Sequence, residues 1–409
     1  MKIWLRYGIG VVLGTIIGFW LPTTGGDTTA FLIEFSELFL RVARFFLFPL
    51  VFFAAIIAVD ELNEDRRLLR VGLETVGWIV LAIVISGIVG ITAIVGLEPQ
   101  RIPPMIQEAD EIAALQLLDV LQEGIPFNFF QVFVLDDHAL FAVLAVGLII
   151  GMALRFDREI TAPLSLVIDS ANRISYYVNG VLLQFVGFLL AIPSAMVIVR
   201  LRAAESIALF GQLILVVSVA AAVVGFVLYP LILYLLDRKG PHPLRWLSAM
   251  VPTALAAAAG GDTYLALATT GRMTKENLGV PRRVGGVVTP FVAIFGRAGT
   301  VLVSIAGFLL VIRSYTALEI GFGEILGLTL AAIAYSVVMV RVPSGGVLML
   351  LSYVALRYGR GMENSYLILL PVMLVLERVA VVLDAMTAGF VTQAIAIRYN
   401  YLREPERPI

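Results

Sequence analysis

The stretch LSAMVPTALAAAAGGDTYLALATTG, residues 247–271, decides the fold because its length does not suit its position in the chain. A helix that crosses a bilayer needs about 20 apolar residues, so this stretch is too short to cross twice. Its flanks are nevertheless both basic, with three Lys or Arg in 237–245 and four in 272–283. Basic segments favour the cytoplasmic side, so both flanks are expected there. The pattern predicts a re-entrant hairpin that enters the membrane and returns, with its tip at Gly260–Asp262.

The composition is that of a membrane protein with several spans. Of the 409 residues, 60% are hydrophobic and 14% are charged, whereas soluble domains are about half apolar and about a quarter charged. The formal net charge of -1 argues against nucleic-acid binding by bulk electrostatics. With no cysteine and two histidines, the chain offers no thiol site and no histidine cluster. We therefore expect no metal, no cofactor and no enzymatic activity.

We expect an all-α polytopic protein with eight transmembrane helices, integral to an inner or plasma membrane. With both termini placed in the cytoplasm, the inside segments hold seventeen Lys and Arg and the outside segments hold six. That asymmetry follows the positive-inside rule. The expected spans lie near 5–22, 32–59, 72–97, 139–154, 163–199, 207–236, 284–312 and 364–397.

A second interrupted segment, 322–356, is split by Arg341, Pro343, Gly345 and Gly346. Because outside loops lie at both of its ends, it is expected to be a re-entrant hairpin that enters from the opposite face. Each hairpin is followed by one full span, so the two units form an inverted repeat. Broken helices that meet at mid-membrane indicate the binding site of a transporter.

Four stretches of the chain carry a family resemblance. They are FLRVARFFLFPLVF at 39–52, QEGIPFNFFQ at 122–131, YYVNGVLLQFVGFLLAI at 176–192 and VPSGGVLM at 342–349. Together with the expected topology, they resemble the dicarboxylate/amino acid:cation symporters, the glutamate and aspartate transporter family. The order and spacing of the elements match from about residue 5 to residue 398.

The resemblance implies an elevator-type transporter, in which one unit carries a small polar solute through the bilayer past a static unit. Residues 1–70 and 99–206 would form the static scaffold. Residues 71–98 and 207–409 would form the transport domain, including both hairpins. The resemblance also implies a homotrimer in the lipid bilayer.

The departures from the family lie where its coupling ions bind. The family's first hairpin tip is Ser-Ser-Ser-Gly-Thr, whereas this chain has Ala-Gly-Gly-Asp-Thr at 259–263. The family's seventh helix breaks at Asn-Met-Asp-Gly-Thr, whereas this chain has Gly-Arg-Ala-Gly-Thr at 296–300. The Asn and Asp that bind sodium in the family are therefore Gly296 and Ala298 here.

The last helix departs from the family as well. Glu377 lies where the family has an Asp that contacts substrate, and Ala380 lies where an Arg would hold an acidic substrate. Asp384 and Ala388 stand in place of a sodium-site Asn and a sodium-site Asp. The resemblance therefore supports the fold and the alternating-access mechanism better than it supports sodium coupling or acidic-substrate recognition.

We expect the solute to bind between the hairpin tips and the last helix. Charges at membrane depth cost several kcal/mol and usually face a cavity or a partner, and Glu377 and Asp384, seven residues apart, share one helix face. The candidate solute ligands are Gly260, Gly261, Asp262, Thr263, Arg341, Val342, Pro343, Ser344, Glu377, Asp384 and Thr387. The candidate groups for ion or proton coupling are Gly296, Arg297, Gly299, Thr300, Glu377 and Asp384.

Three hypotheses concern the charged candidates. Arg297 would occupy the vacated sodium site as a built-in cation, and Arg341 would replace the missing substrate arginine. Asp262 and Arg341 would form a gate pair between the two tips. In the structural alternative, Glu377 and Asp384 pair permanently with Arg297 and Arg341 and only hold the hairpins shut.

The lost ligands predict transport of an amino acid or a dicarboxylate that is coupled to protons or uncoupled. A sodium-driven acidic amino-acid symporter with rearranged ligands is the first alternative. A channel-like anion conductance and a receptor that does not transport are the others. Arg41 and Arg44 on the second span are expected to extend toward lipid headgroups.

Overall fold

The structure of the chain is a computed structural model that describes residues 3–23, 26–103, 128, 132, 140–204, 207–238, 243–315, 321–339 and 345–405. Within these ranges every regular element is helical, and no strand occurs. The expectation of an all-α chain is therefore confirmed for the part that the structure describes.

The described residues of the first half form seven α-helices, two of which end where the sequence led us to expect a continuous span. One interruption lies at Phe45–Phe46 and the other at Leu190. Pro49 and Pro193 explain both, because proline lacks the N–H that would bond to the carbonyl four residues earlier. The helices are α1 (Ile3–Trp20), α2 (Gly26–Arg44), α3 (Leu47–Glu64), α4 (Leu68–Leu97), α5 (Leu140–Ala153), α6 (Arg158–Leu189) and α7 (Ala191–Ala203).

The second half contains nine more described α-helices together with short 3₁₀ and π segments. Its first long element consists of a 3₁₀ turn (Ile207–Phe210), α8 (Gly211–Ala222), a π-helix (Val223–Leu228) and α9 (Tyr229–Leu236). The later helices are α10 (Pro243–Gly260), α11 (Thr263–Leu278), α12 (Arg282–Phe295), α13 (Ala298–Tyr315), α14 (Phe322–Ser336), α15 (Gly346–Tyr358) and α16 (Leu370–Arg398), the last preceded by a 3₁₀ turn (Ser365–Leu369).

Seven helical segments in the described ranges are long and apolar enough to cross a membrane. They are Ile3–Trp20, Ala30–Glu64, Leu68–Leu97, Arg158–Ala203, Ile207–Leu236, Arg282–Tyr315 and Ser365–Arg398. The eighth expected span, 139–154, is present as the apolar helix α5. Its described length is about 21 Å at 1.5 Å per residue, which is short of the roughly 30 Å hydrocarbon core.

Two helix pairs occupy the segments expected to be hairpins. In the first pair, the Thr270 hydroxyl of α11 donates to the Thr253 hydroxyl of α10 at 3.4 Å. Because these residues are equally far from the intervening turn at Gly261 and Asp262, the two helices run antiparallel. In the second pair, the rings of Tyr335 on α14 and Tyr353 on α15 stack at 3.7 Å. The residues between α14 and α15, 340–344, lie outside the described part of the chain. That either pair is re-entrant in a bilayer stays a prediction.

The apolar core is divided between two main clusters. The larger cluster packs α4 together with α8–α16, and almost all of α13 is buried inside it. The second cluster packs the first-half helices α1–α3, α5 and α6 against α10, α11 and the end of α12. The first-half helices other than α4 therefore contact the second half mainly through one face of the first hairpin and through α12.

Candidate functional site

A break between α12 and α13 leaves the backbone N–H and C=O groups of two helix ends without partners inside a helix, in the most buried part of the second half. α12 ends at Phe295 and α13 begins at Ala298, so Gly296 and Arg297 lie between two helix ends. Asp384 of α16 lies across the start of α13. Its carboxylate accepts hydrogen bonds from Gly299 N at 2.6 Å, Thr300 N at 3.2 Å and the Thr300 hydroxyl at 2.7 Å. A carboxylate in this place satisfies the orphan N–H groups of the helix and suits the positive end of its dipole.

Arg297 fills the break with a side chain that is only 2% exposed. One of its terminal nitrogens donates to the Met339 carbonyl oxygen at 3.4 Å, beyond the end of α14. Its guanidinium also interacts electrostatically with Asp384 and with Glu377. The side chain thus connects the broken span to the second hairpin and to two acidic groups of α16.

The side chain of Glu377, a residue of α16, lies beside the start of α15, which is the second arm of the second hairpin. Its carboxylate accepts a hydrogen bond from Leu348 N at 3.1 Å, within the first turn of that helix. Gly345 precedes the helix with a φ of 81°, a left-handed conformation that glycine adopts without steric cost. A Cβ atom at Gly346 would contact the Thr300 side chain at 3.4 Å. The start of α15 therefore packs directly on the start of α13.

Arg378, the next residue on α16, binds the tip of the first hairpin. Its guanidinium donates to the carbonyl oxygens of Ala258, at 3.4 Å, and Ala259, both in the last turn of α10. Gly261 follows with a φ of 63°, and a Cβ atom there would lie 2.5 Å from the guanidinium carbon. Glycine is favoured at this position because side chains strain a backbone with positive φ, and the side chain of Arg378 covers the turn.

Asp262 begins the second arm of the first hairpin and is 1% exposed. Its carboxylate accepts hydrogen bonds from Tyr264 N at 3.0 Å and Leu265 N at 3.2 Å, which makes it the N-cap of α11. The same carboxylate pairs with Arg44 Nε at 2.7 Å. Arg44 is 8% exposed, so the expectation that it extends toward lipid headgroups is wrong. A buried carboxylate attracts it more strongly than a distant lipid surface does.

The charges follow one rule at five interrupted helix ends. Acidic side chains meet the starts of α11, α13 and α15, and basic side chains meet the ends of α10 and α14. Each sign opposes the partial charge of the helix end that it contacts. The arrangement brings six helical segments to one buried region, where backbone groups of helix ends meet side-chain charges of both signs.

A comparison with known families matches residues 3–396 to the sodium:dicarboxylate symporter family. The chain belongs to that family. The resemblance seen in the four sequence stretches is therefore confirmed, and the family consists of transporters, not enzymes. A curated relative, C4-dicarboxylate transport protein 2 of Ralstonia nicotianae (strain ATCC BAA-1114 / GMI1000), is 24% identical over 298 residues. The match covers 69% of this chain and 64% of that relative, which is less than two thirds of the relative's length.

In this family member, the structure brings together most of the residues singled out in the sequence. The first hairpin tip, the break at Gly296–Thr300 and the acidic face of α16 all contribute to the same region. Arg341, Val342, Pro343 and Ser344 lie outside the described residues, so the gate pair of Asp262 and Arg341 stays a prediction. The partner that the structure shows for Asp262 is Arg44.

A tyrosine that the sequence analysis did not select also borders this region of the symporter. Tyr229 directly follows the π-helix, and its hydroxyl lies 2.8 Å from the Thr387 hydroxyl. Its ring stacks on Phe390 at 4.3 Å. Thr387 also donates to the Leu383 carbonyl at 2.7 Å, so its hydroxyl already has two partners. Nothing in the sequence indicates the π-helix, which turns Tyr229 toward α16.

Arg378 was visible in the sequence only as one more intramembrane charge beside Glu377. Successive residues of a helix point about 100° apart, so the side chains of Glu377 and Arg378 face different neighbouring elements. The sequence does not say which elements those are. Among the described residues, no three His, Asp or Glu side chains converge as a metal site would require.

Proposed function

We propose that this chain is a secondary active transporter that moves a small polar organic solute, of the dicarboxylate or amino acid class, by an elevator alternating-access mechanism. We further propose that transport is coupled to protons or uncoupled, because the sodium sites are largely lost. The burial of Arg297 in the break between α12 and α13, beside Asp384, carries this second proposal.

A guanidinium in the break supplies the positive charge that a bound sodium ion would bring. Gly296 and Ala298, on either side of Arg297, have no side-chain oxygen to bind a cation. Asp384 directs both carboxylate oxygens to the start of α13. A second cation beside Arg297 would add like charge at close range in a region of low dielectric, where repulsion is strong.

The solute class follows from the groups around the helix ends. Arginine binds carboxylates through two parallel hydrogen bonds, and Arg297 and Arg378 both lie in this region. The name of the curated relative, a C4-dicarboxylate transport protein, supports a dicarboxylate over a neutral solute. Glu377 and Asp384 could instead meet the amino group of an amino acid, so both classes belong in the test.

The division of the core supports an elevator. Apart from Leu62 of α3 and Ile102, one cluster consists of residues from 71–98 and 207–409, the segments that the family resemblance assigns to the transport domain. The other cluster joins the expected scaffold helices to that unit. At the contact of α12 with α3, a Cβ atom at Gly286 would lie 2.6 Å from the Ala54 carbonyl oxygen and 3.0 Å from the Ala58 side chain. Small residues at this contact leave few side chains that interlock, which favours the sliding of α12 past α3.

The proposal is tested in proteoliposomes that contain the purified chain. Succinate and aspartate uptake is measured with sodium or with choline in the bath, and with or without an inward proton gradient. We expect saturable uptake and exchange of one solute class, unchanged in choline. Uptake that stops in choline would show a sodium-driven symporter. Flux that does not saturate and shows no exchange would show a conductance.

A further inference from the structure

A cavity of about 460 Å³ lies between α3 and α6 on one side and α11 and α12 on the other. Its volume is in the range of small-molecule sites in proteins. None of the helix-end charges Arg44, Asp262, Arg297, Glu377, Arg378 and Asp384 lines it. It is therefore distinct from the region proposed to bind the transported solute.

The cavity is long and has different chemistry at its two ends. Glu61 and Leu47 both line it, and they are about 21 Å apart along α3 at 1.5 Å per residue. The end near Glu61 is also lined by Lys275 and Arg282. The opposite end is lined by Leu47, and Leu50, Val51 and Ala54 of the same helix continue this apolar wall.

The polar end carries an excess of positive charge. Five basic side chains line the cavity, namely Arg173, Arg272, Lys275, Arg282 and Arg403. Glu61 is the one acidic side chain among the described residues that line the cavity. Asp169, Glu276 and Glu61 pair with Arg173, Arg272 and Arg282, and Lys275 lies over the Tyr176 ring. This end of the cavity suits an anion.

A buried amide between the two ends indicates that a polar group enters the cavity. Asn179 lines the cavity and is 2% exposed. Its side-chain oxygen has no hydrogen-bond partner among the described residues. Asn179 lies about 9 Å along α6 from Arg173. A buried polar atom without a partner costs free energy, so a ligand or an ordered water is expected there.

We propose that this cavity binds an anionic amphiphile, namely a lipid with a phosphate headgroup. From the charged end inward, the cavity presents the basic groups around Arg282, then the Asn179 amide with Arg272 beside it, then an apolar wall. A phospholipid presents phosphate, then ester groups, then an acyl chain in the same order. The phosphate contacts Lys275 and its basic neighbours, and one chain lies along α3.

A lipid in this place touches both units of the proposed elevator, because α3 and α6 belong to the expected scaffold and α11 and α12 to the expected transport domain. Its presence would slow their relative movement. This consequence rests on the proposed function, whereas the binding itself does not, so we choose a test that measures binding without transport.

One variant closes the cavity and a second removes charge from its mouth. Gly271 lines the cavity, and a Cβ atom there would meet no atom within 4 Å, so Gly271→Leu fills the space without a clash at its Cβ. Gly77 of α4 is equally open and does not line the cavity, so Gly77→Leu is the matched control. Lys275→Gln removes one basic group from the charged end.

The full-length chain is delipidated, titrated with phosphatidylglycerol or phosphatidylcholine, and examined by native mass spectrometry for retained lipid. We expect tighter retention of phosphatidylglycerol, weakened about fivefold in Lys275→Gln, as about 1 kcal/mol per basic group implies. Gly271→Leu should abolish the preference, and Gly77→Leu should keep it. Thermal unfolding in phosphatidylcholine checks that each variant is folded.

Three results would overturn the proposal. Equal retention of both lipids by the unmodified chain, or an unchanged preference in Gly271→Leu, would show that the cavity holds no anionic lipid. Stabilisation of the unmodified chain by glycerol 3-phosphate that equals the stabilisation by phosphatidylglycerol would show that the occupant is a soluble anion.

Discussion

At the level of single residues, the proposed difference from a sodium symporter rests on Arg297 and Asp384. Arg297→Ala removes the built-in cation, so we predict loss of uptake and partial recovery when guanidinium is added to the bath. The measurement is initial uptake into proteoliposomes of the solute identified in the transport screen. If Arg297→Ala takes up solute as fast as the unmodified chain, the side chain of Arg297 has no role in transport. If guanidinium does not restore uptake, the role of Arg297 is structural.

The same residue pair yields a stability control. Removing one of two opposite charges that interact in a buried region leaves the other uncompensated and lowers stability, whereas removing both costs much less. Asp384→Asn keeps an acceptor for Gly299 N and Thr300 N, so the cap of α13 is retained in part. We therefore expect Arg297→Met with Asp384→Asn to be more stable than Asp384→Asn alone, while remaining inactive.

Sequence reasoning found these two residues because a charge in an apolar span is conspicuous in the sequence. It could not find what they contact. Arg44 and Asp262 are 218 positions apart, and nothing local in the sequence pairs them. Arg378 differs from Glu377 only by one step around the helix, yet they contact opposite hairpins.

At the level of elements, the tip of the first hairpin is held by a helix cap and an ion pair that share Asp262. Asp262→Asn retains a cap for α11 but loses the charge that pairs with Arg44. Asp262→Ala loses both. We predict that Asp262→Ala is less stable than Asp262→Asn by about 1 kcal/mol, the usual contribution of an N-cap.

The comparison is made by thermal unfolding of both variants in the same lipid. Arg44→Gln serves as the control, because it breaks the ion pair and leaves the cap intact. Equal stability of Asp262→Asn and Asp262→Ala would show that the cap does not hold the tip. Unchanged stability in Arg44→Gln would show that the ion pair contributes nothing.

The elements themselves were largely predictable. Apolar length gave the spans, and Gly-rich or Pro-containing interruptions gave the places where helices break. The break at Phe45–Phe46 was missed because the apolar run continues through it, although Pro49 was there to indicate it. The π-helix before Tyr229 could not be predicted, since it has no composition of its own.

At the level of the whole molecule, the proposed elevator has two units that move past each other. The composition predicted the membrane class, and the flanking charges predicted both hairpins. The assignment of helices to units came from the family resemblance, because contacts between distant helices leave no periodic signal in one sequence. The packing of α4 with α8–α16 is consistent with that assignment.

The absence of cysteine from the chain allows paired labels to be introduced without background. Exposed positions are available on both units, with Phe156 following α5 and with Leu244 on α10 and Leu330 on α14. Phe156 belongs to the proposed scaffold and Leu244 to the proposed transport domain, so this pair measures a distance between the two units. Leu244 and Leu330 both belong to the proposed transport domain. Mixing labelled chains with an excess of unlabelled ones restricts the measured distances to a single chain.

Spin-label distance distributions for these two pairs in lipid bilayers test whether the two units move past each other. We expect two distance populations for Phe156→Cys with Leu244→Cys, whose ratio changes when the transported solute is added, and a single constant population for Leu244→Cys with Leu330→Cys. A single, solute-independent distance for the first pair, or an equal change in both pairs, would contradict the proposed movement.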